Sequence, residues 1–211
     1  MPRRPVILFA AACAVIALAL GLITMVVVKG REQSAQIAAE TGTGQPTVGG
    51  PFTLTNQDGQ VVDQSILKDK WTLVFFGFTY CPDYCPTTLG VLNAVQERLE
   101  NDLGDKAKDL QIVFVSIDPE RDTPKLLKDY LSSDGFPDGV IGLTGTPEQT
   151  AQVAKAYRAF YQKVGEGEGY TMNHSLTVYL MGPDGQFRSA VAHDLGPDKT
   201  AKLIERAMER G

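Results

Sequence analysis

Two short and almost uninterrupted apolar runs constrain the fold of this chain most strongly. They are Trp71–Thr79 (WTLVFFGFT) and Leu110–Ile117 (LQIVFVSI). A strand covered by helices on both faces reads as a continuous apolar run, whereas a strand with one face in water alternates apolar and polar residues. The two runs therefore predict two strands that are buried on both faces, as in an α/β fold.

The segments around these runs predict the remaining elements. Thr87–Leu103 has apolar residues at helical spacing, and Thr123-Pro124 and Thr146-Pro147 are typical helix starts, the latter helix running to about Tyr161. Further strands and a closing helix are predicted at Phe52–Thr55, Gln60–Val62, Val140–Leu143, Leu176–Met181, Gln186–Val191 and Pro197–Glu209. This order is typical of a thioredoxin-like sandwich, which we assign to residues 50–211.

The N-terminal segment predicts a membrane anchor. Val6–Val28 is a run of 23 residues without a charge, and roughly 20 such residues span a bilayer as a helix. Arg3 and Arg4 precede the run, which favours a cytoplasmic N-terminus and an exported C-terminal domain. We assign residues 1–30 to a single transmembrane helix and residues 31–49, which are small and polar, to a flexible tether. The alternative is a cleaved secretory signal, whose apolar region is usually about 7–15 residues long.

The charge of the chain excludes one class of partner. There are 20 basic and 25 acidic side chains, and four of the basic ones flank the predicted anchor, which leaves 16 against 25 elsewhere. Such an acidic domain lacks the basic footprint that nucleic-acid binding requires. Only five residues precede the apolar run, too few for a mitochondrial transit peptide. We therefore expect a single-pass protein of the bacterial inner membrane with its C-terminal domain in the periplasm.

The reactive chemistry is expected at Cys81 and Cys85, which lie four residues apart in TYCPDYCP. This spacing puts two side chains on one helical face with Cβ atoms about 5–6 Å apart. Pro86 suits the first turn of a helix, so both thiols should lie at or just before a helix N-terminus, where the thiolate is favoured. The pair can bind a metal ion, or form a disulfide bond in the oxidising periplasm. A purely structural disulfide is less favoured, because it would close a very small loop.

One of the two histidines is the candidate third ligand. His174 precedes the predicted strand Leu176–Met181, and in a thioredoxin-like sheet this part of the chain packs beside the cysteine turn. His193 is expected at the surface. Two thiolates and one imidazole suit copper, because soft sulfur ligands favour Cu(I), and the same set with an added weak ligand can hold Cu(II). A structural zinc ion would need a fourth protein ligand, and none is evident in the sequence.

Five motifs together resemble the Sco/SenC proteins. They are TYCPDYCP at 79–86, SIDPERDTP at 116–124, GLTGT at 142–146, NHS at 173–175 and YLMGPDG at 179–185. The resemblance, which runs from about residue 50 to residue 209, implies a membrane-tethered thioredoxin-fold protein with Cys81, Cys85 and His174 as copper ligands. It implies a role in cytochrome c oxidase assembly, chiefly the delivery of copper to the binuclear site of oxidase subunit II.

An alternative activity also follows from the resemblance. Some Sco/SenC members are regarded as thiol–disulfide reductases that keep the cysteines of the oxidase reduced, and Cys81 and Cys85 would then be a redox-active pair. The copper donor and the thiol reductant have no signature in the sequence. A peroxiredoxin-like peroxidase is disfavoured, because the Pro and Thr or Ser expected before the reactive cysteine are absent: for Cys81 those places hold Val74 and Phe78.

Two residues are candidates for supporting the metal ligands from outside. Asp118 follows the second buried strand at its C-terminal end, where it can approach the cysteine turn. Asn173 stands where many Sco/SenC members have Asp directly before the ligand histidine. Asn can still donate or accept a hydrogen bond but carries no charge, which bears on the affinity for Cu(II) rather than on the ligand set.

Overall fold

The computed structural model describes residues 48–210. Within that range, no helix combines the length and the apolar character needed to cross a membrane. The predicted anchor, residues 1–30, and nearly all of the predicted tether, residues 31–49, lie outside the described residues.

Most of the strands belong to one mixed sheet. The strands of the described residues are β1 (Thr53–Asn56), β2 (Val61–Asp63), β3 (Trp71–Gly77), β4 (Leu110–Ser116), β5 (Ile141–Thr144), β6 (Tyr161–Val164), β7 (Thr171–His174), β8 (Thr177–Met181) and β9 (Phe187–Ala192). The large sheet has the order β2-β1-β5-β4-β3-β8-β9, and β6 pairs with β7 separately. β3, β4 and β5 are parallel, whereas β8 is antiparallel to β3. The two apolar runs thus form neighbouring central strands, and their burial was predicted.

Three of the helices in the described residues begin where the sequence signals place them, and the first begins at Tyr84, three residues before the predicted Thr87. They are α1 (Tyr84–Leu103), α2 (Pro124–Leu131), α3 (Pro147–Tyr157) and α4 (Pro197–Arg210). Thr123 caps α2 and Thr146 caps α3, each hydroxyl accepting a backbone N–H three residues later at 3.2 Å. Each cap is followed by a proline, which lacks the N–H that the first turn leaves unpaired.

The hydrophobic core is built around β3, all seven residues of which are buried. α1 contributes a buried stripe at helical spacing that begins at Cys85 and continues through Leu89, Leu92 and Val95 to Leu99. Cys85 is therefore the first residue of the core-facing stripe of α1, and the cysteine turn is continuous with the core.

The segment between α3 and β8 differs from the prediction. The helix expected to reach Tyr161 ends at Tyr157, because Arg158 takes the left-handed conformation (φ 57°) that terminates a helix. β6 and β7 then form an antiparallel hairpin with Tyr161 opposite His174. Three of the four residues of β6 are exposed, so its sequence lacks the apolar alternation that indicates a strand.

Candidate metal centre

The cysteine turn connects the end of β3 to the start of α1. The Cys81 N–H donates to the carbonyl of Phe78 at 3.2 Å, which closes a tight turn directly after the strand. α1 begins at Tyr84, so Cys85 lies in its first turn. The prediction that both thiols lie at or just before a helix N-terminus is confirmed.

The two sulfur atoms are in different electrostatic surroundings, although both cysteines are buried free thiols. The backbone N–H of Cys85 donates to Cys81 Sγ at 3.3 Å. A hydrogen bond from the Cys85 thiol lowers the pKa of Cys81 to about 4, and contacts with His174 and the Cys85 backbone act in the same direction against the effect of burial. Cys81 is therefore the thiolate of the pair at neutral pH.

Cys85 is the protonated partner. The hydrogen bond that its thiol gives to Cys81 raises the pKa of Cys85, and burial and the negative charge of Cys81 raise it further. The metal-free pair therefore carries one proton. Binding of a metal ion to both sulfurs would release that proton, because a metal-bound cysteine is a thiolate.

Gly77 makes room for the sulfur of Cys85. A Cβ at position 77 would lie 2.8 Å from Cys85 Sγ and 2.7 Å from the ring of Phe114. Both separations are shorter than van der Waals contact. The absence of a side chain at the last residue of β3 thus allows the first turn of α1 to pack directly on the strand.

His174 reaches the cysteines from the hairpin, at the last residue of β7. Its Nε2 lies 3.7 Å from Cys85 Sγ, and its Nδ1 lies 2.9 Å from the carbonyl oxygen of Ser175. A carbonyl only accepts hydrogen bonds, so Nδ1 donates to Ser175 and Nε2 is the ring nitrogen that faces the sulfur. The ring edge packs against Phe78, with centroids 5.8 Å apart. Backbone and core contacts thus fix both the tautomer and the orientation of the imidazole.

The three side chains form one potential metal site. Cys81 Sγ, Cys85 Sγ and a ring nitrogen of His174 all lie within 4.8 Å of one another, although Cys85 and His174 are 89 residues apart. Among residues 48–210, no fourth His, Cys, Asp or Glu joins this group. Two thiolates and one imidazole without a fourth protein ligand fit a soft, low-coordinate ion such as Cu(I) better than a structural zinc ion.

Asp122 supports the cysteine turn, a role that the sequence analysis did not assign. Its carboxylate accepts hydrogen bonds from the Thr79 hydroxyl at 2.6 Å, the Thr79 N–H at 3.2 Å and the Ser116 hydroxyl at 2.6 Å. Burial raises the pKa of Asp122, while these hydrogen bonds oppose the shift. Asp122 thus joins the ends of β3 and β4 immediately before Cys81.

Asp118 supports the metal ligands less directly than predicted, because it contacts Arg121 and Tyr170 rather than a ligand. Its carboxylate is 2% exposed, and it accepts hydrogen bonds from Arg121 Nε and the Tyr170 hydroxyl, both at 2.6 Å. The hydrogen bonds of the described residues include none from Asp118 to Cys81, Cys85 or His174. The Arg121 guanidinium lies 3.6 Å above the Tyr170 ring. Asp118 therefore anchors Tyr170, the residue directly before β7, the strand that carries His174.

Asn173 points away from the site. It is exposed and lies opposite Gln162 in the hairpin, one residue before His174. Successive side chains of a strand project from opposite faces, so the amide of Asn173 and the imidazole of His174 lie on different sides. Within the described residues, no hydrogen bond joins Asn173 to His174. The carbonyl of Ser175 holds the imidazole instead.

His193 does not join the cluster. The sequence places it at the surface, and the structure leaves it half-buried, with its ring edge-to-face with the ring of Tyr84 and the two ring centroids 6.0 Å apart. Tyr84 and Tyr80, which flank the cysteine turn, are 53% and 59% exposed. The two large aromatic side chains therefore form an apolar rim beside the site.

Comparison with known proteins agrees with this geometry. A family model described as SCO1/SenC matches residues 40–209. Protein SenC of Rhodobacter capsulatus is 37% identical over 197 residues, which cover 92% of this chain and 86% of SenC. By contrast, the chain spans about half the length of the mitochondrial SCO1 homologs of Arabidopsis thaliana and Homo sapiens that it matches.

Solved structures support the same assignment. Bradyrhizobium japonicum ScoI with copper bound is 42% identical, with a TM-score of 0.67 over 75% of this chain and 98% of that one. BsSco, described as a member of the Sco family of cytochrome c oxidase assembly proteins with a disulfide switch, is 29% identical, with a TM-score of 0.61 over 77% of this chain and 92% of that one. The thioredoxin-like α/β fold is thereby confirmed, and the chain belongs to the SCO1/SenC family.

Proposed function

We propose that this protein binds one copper ion through Cys81, Cys85 and His174 and delivers it to the binuclear copper site of cytochrome c oxidase subunit II during assembly. One observation carries the proposal: two sulfur atoms and one ring nitrogen from distant parts of the chain lie within 4.8 Å of one another. The ion is cargo in this function, so the site must load it and release it.

The chemistry of the site suits that cargo. Two sulfur ligands bind Cu(I) strongly, and the imidazole adds a ligand that suits both oxidation states of copper. The copper-bound ScoI of Bradyrhizobium japonicum and the description of BsSco as an oxidase assembly protein support copper as the metal and the oxidase as the destination. The copper donor is a separate protein or small carrier whose identity this chain does not specify.

The proposed location follows from the sequence. We place residues 1–30 in the bacterial inner membrane as a single span, residues 31–49 in the tether, and residues 50–211 in the periplasm.

A second function, thiol–disulfide reduction, is favoured by the asymmetry of the two thiols. The low pKa of Cys81 supplies a thiolate that can attack a disulfide, and Cys85 is placed to resolve the mixed disulfide. Each turnover would oxidise Cys81 and Cys85 to a disulfide and would need an external thiol reductant to restore them. In this function His174 is not a reacting group.

The substitution His174→Ala tests the proposal against that alternative. We expect the reduced full-length protein to bind one copper ion per chain and to show a sulfur-to-Cu(II) charge-transfer band after loading with Cu(II). In His174→Ala the band should shift or vanish. The affinity should fall by at least about 10–100-fold, the usual cost of losing only an outer-shell partner of a ligand, because here one of three ligands is lost. The measurements are metal analysis and absorption spectroscopy.

His193→Ala is the matched control, because His193 lies near the cysteine turn but outside the ligand group. It should bind copper as the parent protein does. An unchanged affinity and spectrum in His174→Ala would refute the proposed ligand set. If His174→Ala lost copper but still reduced the disulfide of an oxidised subunit II fragment at the parent rate, both activities would be present and separable.

A further inference from the structure

A basic groove lies at the other end of β3 from the cysteine turn. It is open, has a volume of about 770 Å³, and is lined by Trp71 and by side chains of β9 and α4. Trp71 is the first residue of β3, and Cys81 follows the last. A strand rises about 3.3 Å per residue, so the groove and the metal centre are about 20 Å apart along the strand.

The charge of this groove is opposite to that of the molecule. Its lining includes Arg188, Lys199, Lys202, Arg206 and Arg210, and within the described residues no carboxylate lines it. The whole chain, by comparison, has a net charge of −5. Spacings of three and four residues bring the four α4 cations to one side of the helix.

These cations are available to an external anion. Arg188 is paired with Asp184 at 2.8 Å, but the salt bridges within residues 48–210 include none from the four basic residues of α4. Leu203, Ala207 and Trp71 also line the groove, but they pack against the core, and Trp71 is only 5% exposed. The exposed basic side chains are therefore the groups that would contact an anionic lipid surface.

The chain enters the domain beside this groove. Residues 48–51 line a neighbouring cavity together with Lys68 and the β8–β9 turn, residues 184–186. The carbonyl of Gln186 in that turn accepts a hydrogen bond from Arg188 Nη1 at 3.3 Å. If the predicted tether of roughly 19 residues behaves as a flexible chain, its root-mean-square length is about 24 Å, and a domain anchored through it would stay near the bilayer.

We propose that the groove binds the anionic headgroups of the phospholipid bilayer, so that the domain rests on the membrane with Cys81 and Cys85 turned away from it. The acidic remainder of the domain is repelled by the same surface, so the groove is the face that approaches. This inference goes beyond copper binding, because it assigns a second surface that sets the direction in which the metal centre is presented.

The single tryptophan of the chain provides the measurement. The full-length protein is incorporated into vesicles of phosphatidylcholine alone or of phosphatidylcholine with phosphatidylglycerol, both containing a lipid with a nitroxide quencher on its headgroup. We expect Trp71 fluorescence to be quenched more strongly in the anionic vesicles. The difference should disappear at about 1 M salt, where the screening length falls to about 3 Å.

The double substitution Lys202→Glu with Arg206→Glu should abolish the difference between the two lipids. Each cation near an anionic surface contributes about a fivefold gain in association, so losing two should weaken docking by at least about 25-fold. The control is the double substitution Lys125→Glu with Lys155→Glu, which changes two exposed residues outside the groove. It makes the same change in net charge and should retain the difference in quenching between the two lipids. Copper binding measured in parallel should be unaffected by either pair, which separates this inference from the proposed function.

Four outcomes would overturn the inference. One is equal quenching of Trp71 in both lipids. Another is an equal loss of quenching in both double variants, which would make net charge rather than the groove responsible. A third is abolition of the lipid-dependent difference by millimolar inorganic phosphate at constant ionic strength, which would indicate a site for a soluble anion. Preserved quenching in the groove variant would likewise contradict it.

Discussion

At the scale of single residues, position 77 shows how closely the metal centre is packed into the core. Gly77→Ala would place a methyl group 2.8 Å from Cys85 Sγ and 2.7 Å from the Phe114 ring. We expect a loss of about 1–3 kcal/mol in the free energy of unfolding, the usual cost of overpacking a core. The copper spectrum should change as well, because the sulfur must move. Urea denaturation and absorption spectroscopy measure the two effects.

Gly90→Ala is the control for that substitution. Gly90 lies within α1, and a Cβ there would meet nothing within 4 Å. Alanine at this helical position should increase stability by about 0.5–1 kcal/mol and leave the copper spectrum as it is. Equal effects of the two substitutions would contradict the packing argument.

The thiolate character of Cys81 predicts a pH dependence in the metal-free protein. Because the pKa of Cys81 is lowered to about 4, its alkylation rate should be constant above about pH 5 and fall tenfold per pH unit below pH 4. A depressed pKa stabilises the fold above the pKa of the unfolded thiol, and that contribution is lost as the pH falls towards 4. Mass spectrometry after timed alkylation gives the rate at each cysteine. A midpoint near pH 8 for Cys81 would contradict the assignment.

The residues of the site differ in how far sequence alone could identify them. Cys81, Cys85 and Pro86 are close in the chain, so helix geometry and capping rules predict their arrangement. His174 could be placed only after the fold class was inferred, because its position depends on sheet topology. Asp122 was missed as a support of the turn, since it acts on Thr79 across 43 residues and no local spacing marks that contact.

At the scale of elements, the β6–β7 hairpin sets the position of His174. Tyr170, directly before β7, anchors the hairpin, because its hydroxyl donates a hydrogen bond to Asp118 at 2.6 Å. Tyr170→Phe would leave a buried carboxylate with one donor fewer, and we expect a loss of about 1–3 kcal/mol in stability. Amide hydrogen exchange in residues 161–174 should accelerate, and copper affinity should fall because the imidazole is less well positioned.

Tyr130→Phe provides the comparison. The Tyr130 hydroxyl is buried without a hydrogen-bond partner in the described residues, so its removal should cost little. If Tyr130→Phe and Tyr170→Phe changed hydrogen exchange of the hairpin equally, the anchoring role of Asp118 would be wrong. The sequence did not predict this hairpin, because its strands are short and largely exposed, and its stability comes from single contacts rather than from an apolar pattern.

At the scale of the whole molecule, copper is expected to stabilise the fold. A ligand that binds the native state at a hundred times its Kd adds about 2.7 kcal/mol, which in a domain of this size raises Tm by about 5–10 °C. Thermal unfolding of the reduced protein with and without copper measures the shift. Addition of a copper chelator should reverse it.

The double substitution Cys81→Ser with Cys85→Ser should show no copper-dependent rise in Tm. A rise of the same size in that variant would mean that the ion binds elsewhere. A rise in Tm in the parent protein with no rise in the variant would show that copper stabilises the domain by binding to these two sulfurs.

The overall architecture was more predictable than its details. The runs that became β3 and β4 are apolar because both faces of the sheet are covered, and this pattern is independent of any partner. The threonine–proline pairs before α2 and α3 act through local hydrogen bonds and proline geometry, so they too could be recognised in the sequence. The basic groove could not be recognised in the sequence, because its lining residues from β3, β9 and α4 come together only in the folded chain.

The separate hairpin has a consequence for how an ion leaves the protein. Both sulfurs belong to the turn between β3 and α1, whereas the imidazole comes from a two-stranded sheet with no ladder to the larger one. In the proposed copper delivery, the three ligands therefore come from two elements that no backbone ladder joins. Donor atoms of the acceptor would replace them one at a time, so the ion would not have to pass through water.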